Sequence, residues 1–191
     1  MLTTRTHEAG PAAAAGPAGA AGPAGAAGPA GAAGPARLTS EQVWRELGKA
    51  SFAVISYVTP AGEPRSAGVV YAVAGRRVYM VTAVDSWKAR HIAAARRVAV
   101  TVPVRRGGIM SLLLPIPPET ISFHATAVVR RAGSVEDGML PGNLISLLPA
   151  ERRTECRIIE IRPEGQFVTY GVGISLMRMR SPALARGHAP V

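Results

Sequence analysis

Twenty-seven consecutive residues near the start of the chain, 10–36, consist only of glycine, alanine and proline. From Gly16 onwards a glycine recurs at every third position for seven triplets, in the unit Gly-Pro-Ala-Gly-Ala-Ala. This segment has no large apolar side chain to bury, so it cannot offset the conformational entropy that ordering would cost. We therefore predict a disordered tail over residues 1–36 and one folded domain over residues 37–191.

The three-residue glycine period is also the signature of the collagen triple helix, in which only glycine fits at the axis. Two features favour a proline-stiffened linker instead. Proline never occupies the third position of a triplet, and Ala13 interrupts the period upstream. A triple helix also needs three chains, whereas the assembly inferred below is twofold. The segment carries no side chain with useful chemistry, so we look for function in the rest of the chain.

Charge and cysteine content narrow the class of protein. The formal net charge is +10, and 20 of the 22 basic residues are arginine. Many arginines form scattered doublets such as Arg76-Arg77 and Arg130-Arg131, without interleaved aromatic residues, which favours a solvated surface over a nucleic-acid interface. Cys156 is the only cysteine, which excludes a disulfide framework and a cysteine-based zinc site. With no secretory signal and no apolar run long enough to span a bilayer, we expect a cytoplasmic protein without a metal.

The pattern of the folded part is mainly that of short strands. Seven segments are rich in β-branched and aromatic residues with a period of two, and glycine- or proline-containing turns separate several of them. The predicted strands are 52–59, 65–73, 77–84, 98–104, 119–130, 155–162 and 166–173. We expect the last two to be joined at the turn Pro163-Glu164-Gly165.

Two or three short helices accompany these strands. Thr39 and Gln42 match a capping box, which predicts a helix that ends near Lys49. Residues 87–96 are good helix formers preceded by Asp85 or Ser86 as a cap, and residues 143–148 form a third helical stretch. Tightly connected sequential strands with few helices predict a mainly β (α+β) protein. Its expected core is a small antiparallel β-barrel of about seven strands rather than a sandwich.

One strand-to-helix connection carries chemistry. After the predicted strand that contains Thr82, the chain presents Ser86 and Lys88 at a helix start. A helix N-terminus attracts anions, and a lysine there adds a full positive charge. Arg65 opens a neighbouring strand and could lie alongside. From the residues alone, a phosphate-binding corner and an ordinary capped helix with exposed basic residues both remain open.

The order of motifs over residues 51–102 resembles a known family. A Gly-x-Pro turn is followed by a strand with a basic and a hydroxyl residue, by a strand that ends in Thr, and by a Ser-x-Lys-Ala helix. The chain supplies Gly62-Glu63-Pro64, Arg65-Ser66, Tyr79-Met80-Val81-Thr82 and Ser86-Trp87-Lys88-Ala89. This order resembles the flavin-binding split-barrel family that includes pyridoxamine 5′-phosphate oxidase and the deazaflavin-dependent oxidoreductases.

The resemblance implies an antiparallel split β-barrel that forms a homodimer and binds flavin mononucleotide (FMN), or alternatively the deazaflavin F420, at the dimer interface. It implies that Lys88 and Ser86 hold the cofactor phosphate and that Thr82 and Ala83 line the ribityl side. Residues on the second strand would flank the phosphate and the ring, and Trp87 would lie at the same site. The second-strand residues are Arg65, Ser66 and Val69. No catalytic acid or base is assigned, because hydride chemistry belongs to the cofactor.

The resemblance also leaves open what the protein does with such a cofactor. We expect an oxidoreductase that acts on a small organic substrate. Trp87 stands where the oxidase usually has arginine, so it either stacks on an aromatic ring or packs the helix onto the barrel. One alternative function is a non-catalytic carrier or sensor of flavin or haem. A second is a basic nucleic-acid-binding protein, which the scattered doublets place third.

Overall fold

A computed structural model describes residues 38–105, 119–132 and 155–191. The predicted tail (1–36) and the predicted third helix (143–148) lie outside the described residues. These residues include seven antiparallel strands, whose bounds follow the alternating pattern closely. They are β1 (Phe52–Val58), β2 (Pro64–Ala74), β3 (Arg77–Ala83), β4 (Arg97–Val104), β5 (Glu119–Arg131), β6 (Cys156–Tyr170) and β7 (Arg186–Pro190).

The sheet closes on itself. Its strand order is β3-β2-β1-β4-β5-β6-β7, and β3 also pairs with β6. The first six strands therefore form a closed barrel, and β7 extends the sheet from β6. This confirms the prediction of a mainly β, antiparallel barrel. Closure pairs β3, which would be an exposed edge of an open sheet, with β6.

The barrel interior is filled from the inward positions of each strand. Because successive side chains alternate between the two faces, every second residue is buried along β4 and along most of β1 and β5. The inward residues include Ala53, Ile55, Val98, Val100, Val102, Ile121, Phe123 and Ala125. The rings of Phe123 and Phe167 meet edge to face with centroids 5.4 Å apart, which favours a well-packed aromatic pair.

Helix α1 (Ser40–Lys49) packs against β2, β4 and β7. The predicted capping box is present: the Gln42 backbone N–H donates to Thr39 Oγ1 at 3.2 Å, and the Thr39 N–H donates to Gln42 Oε1 at 2.8 Å. The buried face of the helix includes Trp44, whose ring lies 5.4 Å from that of Phe167. The hydroxyl of Tyr71, in β2, donates to the carbonyl of Leu47 at 2.7 Å and so ties α1 to the barrel.

Helix α2 (Trp87–Ala95) packs near the end of β1, where the ring of His91 lies 6.0 Å from that of Tyr57. Ala89 and Ile92 are its buried residues. The sequence predicted a cap at Asp85 or Ser86. Ser86 occupies the N-cap position, but its side chain makes no capping hydrogen bond. The Ser86 hydroxyl is therefore not committed to the helix.

The predicted turn between two strands at Pro163-Glu164-Gly165 is wrong. The residues on both sides of it belong to the single strand β6, which pairs with β5 before and after this segment. The register shifts from His124↔Glu164 to Ser122↔Val168, and Gly165 has a φ of +71° within the shift. Glycine therefore bends the strand at an irregularity instead of reversing it, because it accepts a left-handed conformation without steric cost.

The seventh strand also lies elsewhere than predicted. After β6 come two single-turn helices, α3 (Leu176–Met179) and α4 (Pro182–Ala185), and then β7. The sequence of β7, RGHAP, lacks the large alternating apolar residues that mark a strand, so only its pairing with β6 reveals it. Among the described residues, no helix is long and apolar enough to cross a membrane.

Candidate functional site

The barrel wall is split between β2 and β3. The two strands pair over four residues each, from Tyr71↔Met80 to Ala74↔Arg77. Beyond this point the earlier part of β2 continues its pairing with β1, and the end of β3 continues its pairing with β6. The predicted site residues flank this opening. Arg65, Ser66 and Val69 lie on the β2 side, and Thr82 and Ala83 lie on the β3 side.

The β2 side of the opening adjoins a shallow depression of about 390 Å³. Arg65 and Ser66 line it together with three residues that the sequence did not single out, Ser56, Tyr57 and Arg97. The hydroxyls of Ser56 and Ser66 lie 2.8 Å apart across the β1–β2 pair. Arg97 opens β4, and only the pairing of β1 with β4 brings it close, which explains why sequence motifs missed it.

The Arg65 guanidinium is held only loosely in this depression. Its Nη2 lies 2.9 Å from Glu63 Oε2, and both side chains are largely exposed. Exposed ion pairs of this kind contribute about 0–1 kcal/mol, so an anionic ligand can compete for the guanidinium. Val69 differs from its neighbours because its side chain is buried in the barrel core. The side chain of Val69 is therefore closed to a ligand, and by alternation from Tyr71, whose N–H donates to the Ser51 carbonyl, the main-chain groups of Val69 face β1.

The β3 side leads into the first turn of α2. Lys88 is partly buried there, and this burial lowers the pKa of its ammonium group. The ammonium has no ion-pair partner among the described residues. A half-buried cation next to the free N–H groups of a helix start attracts an anion, because both carry positive charge. Ser86, whose hydroxyl makes no cap bond, stands beside it.

An aromatic series connects the two sides. Tyr57 lines the depression, the ring of His91 lies 6.0 Å from it, and the ring of Trp87 lies 6.0 Å from His91. Trp87 is 68% exposed, so it does not pack the helix onto the barrel. Its ring carries the Arg90 guanidinium at 4.0 Å, a cation–π contact. Nδ1 of His91 is buried without a hydrogen-bond partner in the described part of the chain.

The structure thus places the predicted residues in two groups. Arg65 and Ser66 belong to the depression, and Thr82, Ala83, Ser86, Trp87 and Lys88 belong to the β3–α2 connection. In the described residues, neither a hydrogen bond nor an ion pair joins one group to the other. His124 is exposed on the outer face of β5 and lies opposite Glu164. No group of His, Cys, Asp and Glu side chains suited to a metal ion occurs in these segments.

Comparison with solved structures shows which fold this is. General Stress Protein 26 from Bacillus anthracis superposes with a TM-score of 0.50 at 18% identity, over 68% of this chain and 90% of that one. A "Putative Pyridoxamine 5′-phosphate oxidase" from Listeria innocua superposes with a TM-score of 0.51 at 14% identity, over 65% and 92% of the two chains. The chain has the pyridoxamine 5′-phosphate oxidase-like split-barrel fold. HutZ, the heme storage protein from Vibrio cholerae, shares it, with a TM-score of 0.51 at 13% identity over 71% of this chain and 96% of that one.

These likenesses establish the split barrel, because identities of 13–18% reach no further than the fold. No protein-family model and no curated protein matches the sequence. The fold hosts proteins described by different ligands, so function has to come from the residues around the split.

Proposed function

We propose that this split barrel binds a flavin-type cofactor, FMN in the first place and F420 as the alternative, and acts as an oxidoreductase on a small organic substrate. The observation that carries the proposal is Lys88, a half-buried ammonium without an ion-pair partner in the described residues, at the N-terminal turn of α2. A cofactor phosphate supplies the missing negative charge. Ser86 adds a hydroxyl donor on the same turn.

The neighbouring residues suit the rest of such a cofactor. Thr82 and Ala83, on the β3 side of the split, would contact the ribityl chain. Arg65 and Ser66 would approach from the β2 side. Since Tyr71 donates its backbone N–H toward β1, the alternating main-chain groups of Ser66 and Gly68 point toward the split. Trp87 offers an exposed aromatic surface near the phosphate position.

A bound flavin or deazaflavin supplies hydride transfer itself. The protein's part is then to hold the phosphate, orient the ring against the split and keep bulk water from one side of it. The described residues offer no paired carboxylates or nucleophile–base pair at the split, and this chemistry does not need them.

We further propose that two copies of the chain pair through the outer face of β1 and β2. Phe52, Val58 and Val70 are 48%, 47% and 52% exposed there. Phe52 pairs with Val70 in the sheet, and its ring covers Gly68, where an added Cβ would lie 3.0 Å from the ring. This apolar surface continues into the Ser56–Ser66 pair, so a dimer formed here would place the depression at the interface.

A second candidate function is a non-catalytic carrier or sensor of haem or flavin. It is supported by the likeness to HutZ, described as a heme storage protein, and to a heme binding protein from Mycobacterium smegmatis with a TM-score of 0.51 at 12% identity. That the described residues place no acid–base pair at the split suits a carrier equally well.

Binding and turnover experiments separate these functions. The purified full chain is titrated separately with FMN, F420 and haemin, and each complex is then mixed with a reductant and with candidate electron acceptors. Saturable binding of FMN or F420 with turnover supports the oxidoreductase. Binding without turnover, or binding of haemin alone, supports the carrier. Sedimentation velocity on the same sample tests the dimer.

A further inference from the structure

On the outside of the barrel, the carboxylate of Glu160 accepts hydrogen bonds from three arginines. Arg77 Nη1 and Arg162 Nε donate to Glu160 Oε1 at 2.8 Å each, and Arg130 Nε donates to Glu160 Oε2 at 3.1 Å. Burial alone would raise the pKa of Glu160, but the hydrogen bonds and charges of Arg162, Arg130 and Arg77 together hold this pKa below its usual value. The carboxylate therefore stays ionised, and we call these four residues the arginine cluster.

The cluster assembles residues that are far apart in the sequence. Arg77 begins β3, Arg130 lies near the end of β5, and Arg162 lies in β6. The strand pairing brings them together, because β6 runs between β3 and β5 in the closed barrel. Arg77 and Arg162 flank the inward pair Val78↔Ile161, so by alternation both point outward. Two of the scattered doublets thus contribute to one surface.

The three arginines carry more positive charge than the one carboxylate neutralises. Three guanidinium groups against one carboxylate leave a net charge of +2 in the cluster. The Glu160 side chain is 6% exposed, whereas those of Arg77, Arg130 and Arg162 are 40%, 44% and 47% exposed. Each arginine shows one nitrogen bound to Glu160, and a guanidinium has five N–H donors in a planar fork. Donors and charge therefore remain on the solvent side.

We propose that the arginine cluster is a binding surface for the phosphate backbone of a nucleic acid. Planar, delocalised guanidinium groups match phosphate oxygens better than ammonium groups do. The neighbouring outward residues Tyr79, Val81 and Val128 are buried or half-buried, so no exposed aromatic ring is offered for base stacking and recognition is by charge alone. The same lack of exposed apolar side chains disfavours insertion into a lipid surface. This inference is independent of the proposed cofactor.

Fluorescence anisotropy of a labelled 20-bp duplex with the full chain measures this binding. If the net charge of +2 offsets two phosphates, raising KCl from 50 to 200 mM weakens the affinity about twelvefold. The triple variant Arg77→Gln/Arg130→Gln/Arg162→Gln is expected to lose measurable binding. The matched control Arg45→Gln/Arg180→Gln/Arg186→Gln removes three exposed arginines elsewhere and should keep more than half of the affinity.

A single isosteric variant at Glu160 tests the cluster while keeping all three arginines. Glu160→Gln retains a hydrogen-bond acceptor and raises the cluster's charge to +3, so the duplex is expected to bind about fivefold more tightly. A purely structural ion-pair cluster would give no tightening. The proposal is overturned by unchanged or weaker binding of Glu160→Gln, by equal losses in the two triple variants, or by anionic phosphatidylserine vesicles binding while the duplex does not. Competition by 20 mM inorganic phosphate at constant ionic strength would instead mark a site for free phosphate and would also overturn it.

Discussion

Replacing Lys88 should change cofactor affinity while leaving the stability of the fold nearly unchanged. Its ammonium is half-buried at the start of α2 without an ion-pair partner in the described segments, and burial lowers its pKa. Replacement by glutamine removes the charge and keeps much of the side-chain volume. Because no ion pair is lost, we expect the free energy of unfolding to stay within about 0.5 kcal/mol of the wild type or to rise.

Cofactor binding should respond in the opposite direction. A hydrogen bond from a charged group contributes about 1.5–3 kcal/mol, so Lys88→Gln should weaken FMN binding roughly 10- to 150-fold. Lys88→Arg, which retains the charge, should recover part of the affinity. The pH dependence has a definite sign: with a lowered pKa in the folded protein, the unliganded wild type gains stability as pH rises toward the ordinary lysine pKa of about 10.4. Lys88→Gln should lack this gain.

Flavin fluorescence titration measures the affinity, and urea unfolding followed by circular dichroism measures the stability. Lys49 provides the matched control, since it is the other lysine of the chain and forms an exposed pair with Glu46 at 2.7 Å. Lys49→Gln should leave FMN affinity unchanged. Equal FMN affinity in Lys88→Gln and wild type would refute the assignment. A loss of more than about 1 kcal/mol of unfolding free energy would show that Lys88 is structural.

Further predictions concern the barrel. Tyr71→Phe removes a buried hydrogen bond to helix α1 and should cost about 1–2 kcal/mol in urea unfolding. Glu160 has a lowered pKa when folded, so it stabilises the protein above its unfolded pKa; the stability advantage of wild type over Glu160→Gln should shrink as pH falls from about 5 to 3. A constant difference would contradict the ion-pair account. Gly171→Ala should destabilise more than Gly62→Ala, because both have positive φ but only at Gly171 would an added Cβ meet neighbours, Glu119 Cγ at 3.3 Å and the end of the Met179 side chain, which would have to move; equal thermal midpoints would contradict it.

Local patterns predicted most of the barrel. The first five strands begin or end within two residues of their predicted bounds, because alternating apolar residues and turns such as Gly62 and Gly75 are local signals. The capping box of Thr39 and Gln42 is equally local. The errors lie where pairing decides the outcome. Gly165 looks like a turn residue, and only the pairing with β5 on both sides of it makes its segment a bend in one strand.

The same division holds for the candidate site. Ser86, Trp87 and Lys88 are adjacent in sequence, so their common position at a helix start could be predicted. Arg97 could not, because the pairing of β1 with β4 brings it to the depression. The arginine cluster is another case: nothing in the sequence connects Arg130 with Glu160 before β5 and β6 are aligned. Non-local register is the information that single-sequence patterns lack.

The most direct test of the proposed function is an equilibrium titration of the purified full chain with FMN, followed by flavin absorbance and by quenching of its fluorescence. We predict saturable binding of one FMN per chain, with a spectral shift that Trp87→Ala reduces and an affinity that Lys88→Gln lowers at least tenfold. Failure to bind either FMN or F420 saturably would contradict the assignment of the split as a flavin-type site.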